Sequence, residues 1–212
     1  MLRQAIKKIP GARRTALFLG LATAQPTREF LLGLLPRASV GAEIGVHLGD
    51  FSATVLRVVQ PKEYHLIDPW EHQKSERYKG SWYGGGAKGG QEEMDRRYQG
   101  VLRRFDGQIR ANVVRVHRGY STEVLEKFDD RHFDWIYIDG NHLYEYVAKD
   151  LEISFRKVKS GGYIVADDYP IDGQPLRDWW GDGVKRACDE FAKRDDVQVL
   201  AIRDRQFIAL KR

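Results

Sequence analysis

From residue 40 onward, short apolar and β-branched runs alternate with longer stretches in which apolar residues recur at helical spacing. That alternation is the sequence form of βαβ units, whose helices cover both faces of a mainly parallel sheet. Strands are predicted at Ala42 to Gly45, Tyr64 to Asp68, Val113 to His117, Phe133 to Asp139, Tyr163 to Asp168, Val197 to Arg203 and Gln206 to Leu210. Helices are predicted near Ser52 to Gln60, Gln91 to Phe105, Thr122 to Phe128, His142 to Val158 and Gly183 to Lys193. Only Asp204-Arg205 separates the last two strands. That is too short for a helical crossover, so the pair must form an antiparallel hairpin. The expected fold is α/β: a doubly wound, seven-stranded, mostly parallel sheet with a C-terminal antiparallel hairpin. Residues 40–212 form one domain without internal repeats, preceded by an N-terminal arm and helix over residues 1–39.

With 212 residues, 42% hydrophobic and 31% charged, the chain can close one packed core and is neither a disordered segment nor a rod. A single cysteine, Cys188, allows no internal disulfide and no cysteine-rich zinc site. It points to a reducing, cytoplasmic setting in which a metal would use oxygen or imidazole ligands. The 35 Lys and Arg exceed the 30 Asp and Glu by only five. They lie beside acids on the predicted helices (Glu92, Glu93, Asp95, Arg96, Arg97), as on a solvated face, so no nucleic acid partner is expected. Arg3, Lys7, Lys8, Arg13 and Arg14 precede the apolar run Ala16 to Ala22 and then Ala22-Thr23-Ala24, in the manner of a secretory signal. Pro10-Gly11 interrupts that approach and the apolar run is short. The preferred reading is a basic arm that packs on the domain, on a membrane surface or on a partner subunit, which leaves room for a homodimer. No segment is expected to insert stably in a bilayer.

The candidate chemistry gathers where the predicted strands end. Glu43-Ile44-Gly45-Val46-His47-Leu48-Gly49-Asp50-Phe51-Ser52 is a glycine-bearing turn entering a helix, where Gly45 and Gly49 let backbone N–H groups approach an anionic ligand. Its spacing departs from the GxGxxG of dinucleotide sites. Asp68 closes the second strand, in the place of the ribose-binding acid of nucleotide folds. Gly119-Tyr120-Ser121 follows the third strand and is a candidate lining for an adenine pocket. Between Lys79 and Gly90, six glycines surround Trp82 and Tyr83, which reads either as a substrate lid or as a flexible insertion. Asp139 ends the fourth strand, and Asp167 and Asp168 end the fifth. Neighbouring strands run about 4.8 Å apart, so the three carboxylates crowd one corner and call for a hard divalent cation. Strand-end aspartates also cap helices and shape turns, the plainer reading for Asp168-Tyr169-Pro170. His142, three residues beyond Asp139, is expected at a helix start beside that cation, its pKa depressed by both, as a neutral general base. His47, His65, His72, His117 and His132 are read as ordinary. Tyr169, Trp82, Tyr83, Trp179 and Trp180 are candidates to stack on the apolar face of a substrate, although buried aromatics more often belong to the core.

Taken in order, Glu43-x-Gly45-x-x-x-Gly49-x-x-Ser52, Asp68, Ile138-Asp139-Gly140-Asn141-His142-x-Tyr144, Gly161-Gly162-Tyr163 and Asp167-Asp168-Tyr169 resemble the class I S-adenosylmethionine-dependent methyltransferases. The chain is similar, from about residue 40 to its end, to the magnesium-dependent O-methyltransferases that include catechol O-methyltransferase and the bacterial enzymes methylating macrolide sugars. The resemblance implies a Rossmann-like methyltransferase fold. It places Gly45, Gly49 and Ser52 at the methionine end of S-adenosylmethionine, with Glu43 shaping the loop and Asp68 on the ribose. Gly119, Ser121 and Asp139 would also border the cofactor. Asp139, Asp167 and Asp168 would hold Mg²⁺ or Mn²⁺, with His142 as the base. Some relatives use an aspartate two residues beyond the metal ligand, but position 141 here is Asn. No Asp/Asn-Pro-Pro-aromatic stretch follows the fourth strand, unlike the methyltransferases of nucleic acid bases. The implied reaction is methyl transfer to a hydroxyl of a small molecule, a saccharide in preference to a catechol or other phenol. A metal-dependent hydrolase, or a basic nucleotide- or RNA-binding module, stand as alternatives.

Overall fold

The computed structural model describes residues 28–170 and 180–212. Arg3, Lys7, Lys8, Arg13 and Arg14 of the arm, the apolar run after them and Trp179 lie outside the described residues. Seven strands form one sheet: β1 (Val40–Ile44), β2 (Glu63–Asp68), β3 (Val114–Arg118), β4 (Phe133–Ile138), β5 (Val158–Ala166), β6 (Val197–Arg203) and β7 (Gln206–Lys211), in the order β3-β2-β1-β4-β5-β7-β6. The first five strands pair in parallel, and β7 is antiparallel to both β5 and β6. The helices are α1 (Glu29–Leu32), α2 (Asp50–Val58), α3 (Gly90–Arg104), α4 (Asp106–Arg110), α5 (Ser121–Leu125), α6 (Tyr144–Lys157) and α7 (Gly183–Phe191).

Period-two alternation in the strands sorts the apolar residues into two layers. Tyr64, Leu66, Trp135, Tyr137, Val165 and Ile208 pack against α1 to α3 on one face. Ala42, Ile44, Ile67, Ile136, Ile138 and Ile164 pack against α5, α6 and α7 on the other. Every residue of β1 is buried, as expected for a central parallel strand covered twice. Leu31, Leu32 and Leu35 join the first layer, so the chain just before the sheet is part of the same core. No helix of the described residues is long and apolar enough to cross a membrane.

Most boundaries shift by a few residues and α4 was not predicted, and two of the shifts have a visible cause. Helix α6 begins at Tyr144, because the Asn141 side chain accepts the Leu143 N–H at 3.1 Å and turns the chain before the helix. His142 therefore precedes the helix. Strand β5 begins at Val158, paired with Phe133, and bulges before Tyr163 pairs with Trp135; Gly161, at φ +77°, lies in the bulge. The predicted hairpin is present. Asp204 and Arg205 both take positive φ (52° and 62°), as a two-residue type I′ turn requires. Its second strand, β7, rather than its first, is the one that continues the sheet from β5.

Candidate functional site

The order of strands reverses between β1 and β4, and the carboxyl ends of strands flanking such a switch point open a cleft. The loops there touch. A Cβ on Gly45 (φ +88°) would lie 1.9 Å from the backbone oxygen of Asp139, and the Asp139 N–H donates to the Ile44 carbonyl at 2.7 Å. Only glycine allows this approach. Gly49 (φ +78°) sits at the N-cap of α2. Asp68 is buried, and it holds the glycine loop from below. One carboxylate oxygen accepts the N–H groups of Val46 (2.9 Å) and His47 (3.0 Å), and the other accepts that of Trp70 (2.7 Å). Burial raises its pKa despite these donors and the Tyr83 hydroxyl. Gly119 stands beside it, its N–H on the Asp68 carbonyl at 3.0 Å.

Glu43 and Ser52 lie beneath the loop. Both are buried; the Ser52 hydroxyl donates to Glu43 at 2.8 Å, and the Tyr64 hydroxyl donates to the same oxygen. Burial pushes the Glu43 carboxyl up to about 8. Ser52 is thus spent on Glu43 rather than presented to the cleft. Ser121 is likewise engaged, by buried Asp150, whose carboxyl burial pushes up to about 7.

Of the three strand-end aspartates, Asp139 and Asp168 meet around His142, whereas Asp167 is outside that group and is tied to Asp139 through Arg28. Asp139 and Asp168 each stand 3.4 Å from His142 Nε2, and the ligand atoms of these three residues all lie within 4.8 Å of one another. Asp167 accepts the Asp168 N–H at 2.8 Å and the Gln206 side-chain amide. One guanidinium nitrogen of Arg28 lies 2.6 Å from Asp139 and 2.8 Å from Asp167. Arg205, on the hairpin turn, lies 2.8 Å from Asp168. Burial and Asp139 push the Asp167 carboxyl up to about 7. For Asp139, burial is outweighed by His142 and Arg28, and its pKa is lowered. Burial alone would lower the pKa of His142, but the carboxylates of Asp139, Asp168 and Asp167 outweigh it and raise it. The expected depression rested on a helix start and a bound cation: His142 lies outside α6, and without a cation the acids around it favour its protonated form.

A family model described as a methyltransferase domain matches residues 42–169, from the first strand through the acidic turn after the fifth. The chain belongs to this family. No curated protein matches it by sequence. Among solved structures, it resembles a proposed caffeoyl-CoA O-methyltransferase from Staphylococcus aureus at 18% identity and TM-score 0.60, over 97% of this chain and 92% of that one. It also resembles the O-methyltransferase TomG of Streptomyces achromogenes, involved in tomaymycin synthesis and solved with S-adenosylmethionine, at 22% identity and TM-score 0.58, covering 90% and 82%. A third is an O-methyltransferase of Bacillus cereus in complex with S-adenosylhomocysteine, at 17% identity and TM-score 0.59, covering 94% and 88%. At these identities the likeness is one of fold.

In this methyltransferase the glycine-rich segment is folded onto the cleft. A Cβ on Gly84 would stand 2.0 Å from the Tyr78 carbonyl, so a close backbone approach, beyond any need for looseness, calls for glycine there. Asn141 donates to the Tyr78 hydroxyl at 2.9 Å, Arg77 pairs with Glu145 at 2.8 Å, and Tyr83 donates its hydroxyl to Asp68. Trp82 is 70% exposed beside the His47 ring. Trp180 stacks on His142 with centroids 4.6 Å apart. Tyr169, by contrast, is buried: it packs on Phe207 and donates to Asp189 at 2.7 Å, so it serves the core rather than the cleft wall. Sequence reading passed over Arg28, Arg205 and Gln206. Nothing local marks them; each reaches the acids from an element distant in sequence.

Proposed function

We propose that this methyltransferase transfers the methyl group of S-adenosylmethionine to a hydroxyl oxygen of a small molecule, a sugar or oligosaccharide, with a divalent cation at the aspartates and His142 as base. The observation that carries the reading is the packing of Asp139, Asp168 and His142 within 4.8 Å, at the rim that Gly45 shares with Asp139. Crowded like charges need a counter-cation, a need that the Arg28 guanidinium meets in part by bridging Asp139 and Asp167. Tyr83 similarly stands in for a ligand hydroxyl: its O–H rests on Asp68, the acid proposed for the ribose. The residues present thus fit both groups. The aspartate oxygens suit Mg²⁺ or Mn²⁺, and the imidazole beside them is left free to act as base.

When bound, S-adenosylmethionine supplies an electrophilic methyl on a positively charged sulfur. When bound, the divalent cation supplies positive charge that acidifies a nearby hydroxyl and orients vicinal oxygens. The chain's own residues do the rest. Gly45 and Gly49 open the loop to the donor, and Asp68 fixes that loop while leaving lone-pair capacity for a hydroxyl. Holding the two reactants in line recovers roughly 7 to 11 kcal/mol of the barrier. The acceptor oxygen forms a bond to the methyl carbon as the carbon–sulfur bond breaks, S-adenosylhomocysteine leaves, and the acceptor proton passes to His142 Nε2. Trp180 keeps the imidazole plane fixed by stacking. Two features favour an alcohol over a phenol: a histidine base suits a weakly acidic hydroxyl, and exposed Trp82 offers an apolar platform to a sugar ring.

The test is labelled methyl incorporation across sugars, phenols and RNA, with and without EDTA, for the wild type and His142→Ala. Incorporation into saccharides that EDTA abolishes is expected. A base must be unprotonated to act, so the rate should climb with pH as the imidazole loses its proton, and His142→Ala should flatten that limb and lower kcat about 100-fold while S-adenosylhomocysteine affinity holds. Equal losses in kcat and affinity would remove His142 as base, and activity on phenols or RNA alone would redirect the acceptor.

A further inference from the structure

At the other end of β2 from Asp68, three histidines and a glutamate crowd the face that α5 and α6 cover. Glu63 opens β2 and His65 follows two residues on, so both side chains share that face. His117 comes from neighbouring β3, and His132 from the residue before β4. His65 Nε2 is 3.0 Å from Glu63 Oε1, and its other nitrogen is 2.9 Å from His117 Nε2. Arg115 anchors the same glutamate oxygen at 3.0 Å. His132 Nε2 is buried with no hydrogen-bond partner. Phe128 walls the cluster, its ring 4.8 Å from that of His65 and 5.2 Å from that of His132.

We propose that Glu63, His65 and His132 form a second metal site, for a zinc-class divalent transition ion, distinct from the hard-cation cleft. Ligand atoms of the three lie within 4.8 Å of one another. Zn–N and Zn–O bonds of about 2.0 to 2.2 Å set tetrahedral ligand atoms about 3.3 Å apart. The Glu63–His65 pair is close to that spacing already, and a ligand atom of His132 lies within 4.8 Å of both. The hydrogen bonding gives the stronger reason. Without an ion, a chain of donors from His117 through His65 to Glu63 satisfies those three groups but leaves the His132 nitrogen buried and unmatched, a state that native interiors rarely keep. With an ion, His65 donates Nδ1–H to His117, which fixes the tautomer with Nε2 toward the metal, the usual outer-shell arrangement. Two imidazoles and a carboxylate favour Zn²⁺ over Mg²⁺, and the 25% exposed Glu63 side chain leaves a path for ion and a fourth ligand, water. Such an ion would tie the start of β2 to the turn before β4.

The full-length chain, held in excess Mg²⁺ to fill the cleft, is titrated with Co²⁺ as a spectroscopic probe. The wild type should bind one equivalent with intense visible d–d bands, and Zn²⁺ should displace it and raise Tm. His132→Ala and Glu63→Gln should each weaken Co²⁺ binding at least ten-fold, and the Asp139→Asn/Asp168→Asn double variant should keep the bands. Glu63→Gln carries the test should His132→Ala misfold. Absence of bands in the wild type, their survival in the Glu63→Gln chain, or their loss with the cleft aspartates would overturn the site.

Discussion

At the residue scale, Arg28 and Glu43 each lend themselves to a test. Arg28 Nη1 contacts Asp139 and Asp167 at 2.6 and 2.8 Å, so a divalent cation must displace it or share its acids. Hydrogen bonds between charged groups contribute roughly 1.5 to 3 kcal/mol. Arg28→Met should therefore strengthen Mn²⁺ binding about ten-fold or more, read by electron paramagnetic resonance; unchanged affinity would show that the arginine and the ion do not compete. Glu43 lends itself to a stability test. Its folded pKa of about 8 lies above the ordinary 4.5, so between those values the folded state holds the proton longer than the unfolded one. Stability must then fall as pH rises through that window, with a slope of at most roughly 1.4 kcal/mol per pH unit from this group. Glu43→Gln should flatten the decline in a urea-melt series from pH 5 to pH 8, leaving the share due to Asp150 and Asp167. A parallel slope in the variant would mean that the buried carboxyl is not what titrates.

At the element scale, the glycine-rich segment gains a role that composition did not show. Six glycines between Lys79 and Gly90 read as a lid or a flexible insertion, and the structure adds that they bring backbone against backbone, with Gly84 on the Tyr78 carbonyl and Tyr83 reaching Asp68. Gly84→Ala should open the segment. We expect amide hydrogen exchange across residues 76–90 to quicken about ten-fold, equivalent to about 1.4 kcal/mol of local stability, with α6 unchanged; uniform exchange in both proteins would deny the packing role. The end of the fourth strand was better marked. Ile138-Asp139-Gly140-Asn141-His142 signalled a strand end and a helix start, and the structure puts between them a turn that Asn141 shapes while reaching Tyr78. What composition concealed was that the turn and the glycine segment are partners.

At the scale of the whole molecule, the seven strands and the closing hairpin were legible because each rests on short-range physics. Period-two burial separates Tyr64 and Leu66 from His65 and Ile67, and a two-residue link between apolar runs permits only an antiparallel return. The carboxylate corner was legible for the same reason: Asp139, Asp167 and Asp168 terminate strands that had to be neighbours. Local sequence carried no sign that β7 would slot beside β5, that Arg28 would reach back to acids more than a hundred residues away, or that His132 would come to rest near His65. These depend on chain crossovers that bring distant segments together, and no window of neighbouring residues encodes them. The sequence by itself determined the elements, their faces and the type of chemistry, because propensity, periodicity and strand-end residues act locally. Only the tertiary structure decided which charge meets which, because packing and electrostatic energy depend on distance in space and not along the chain.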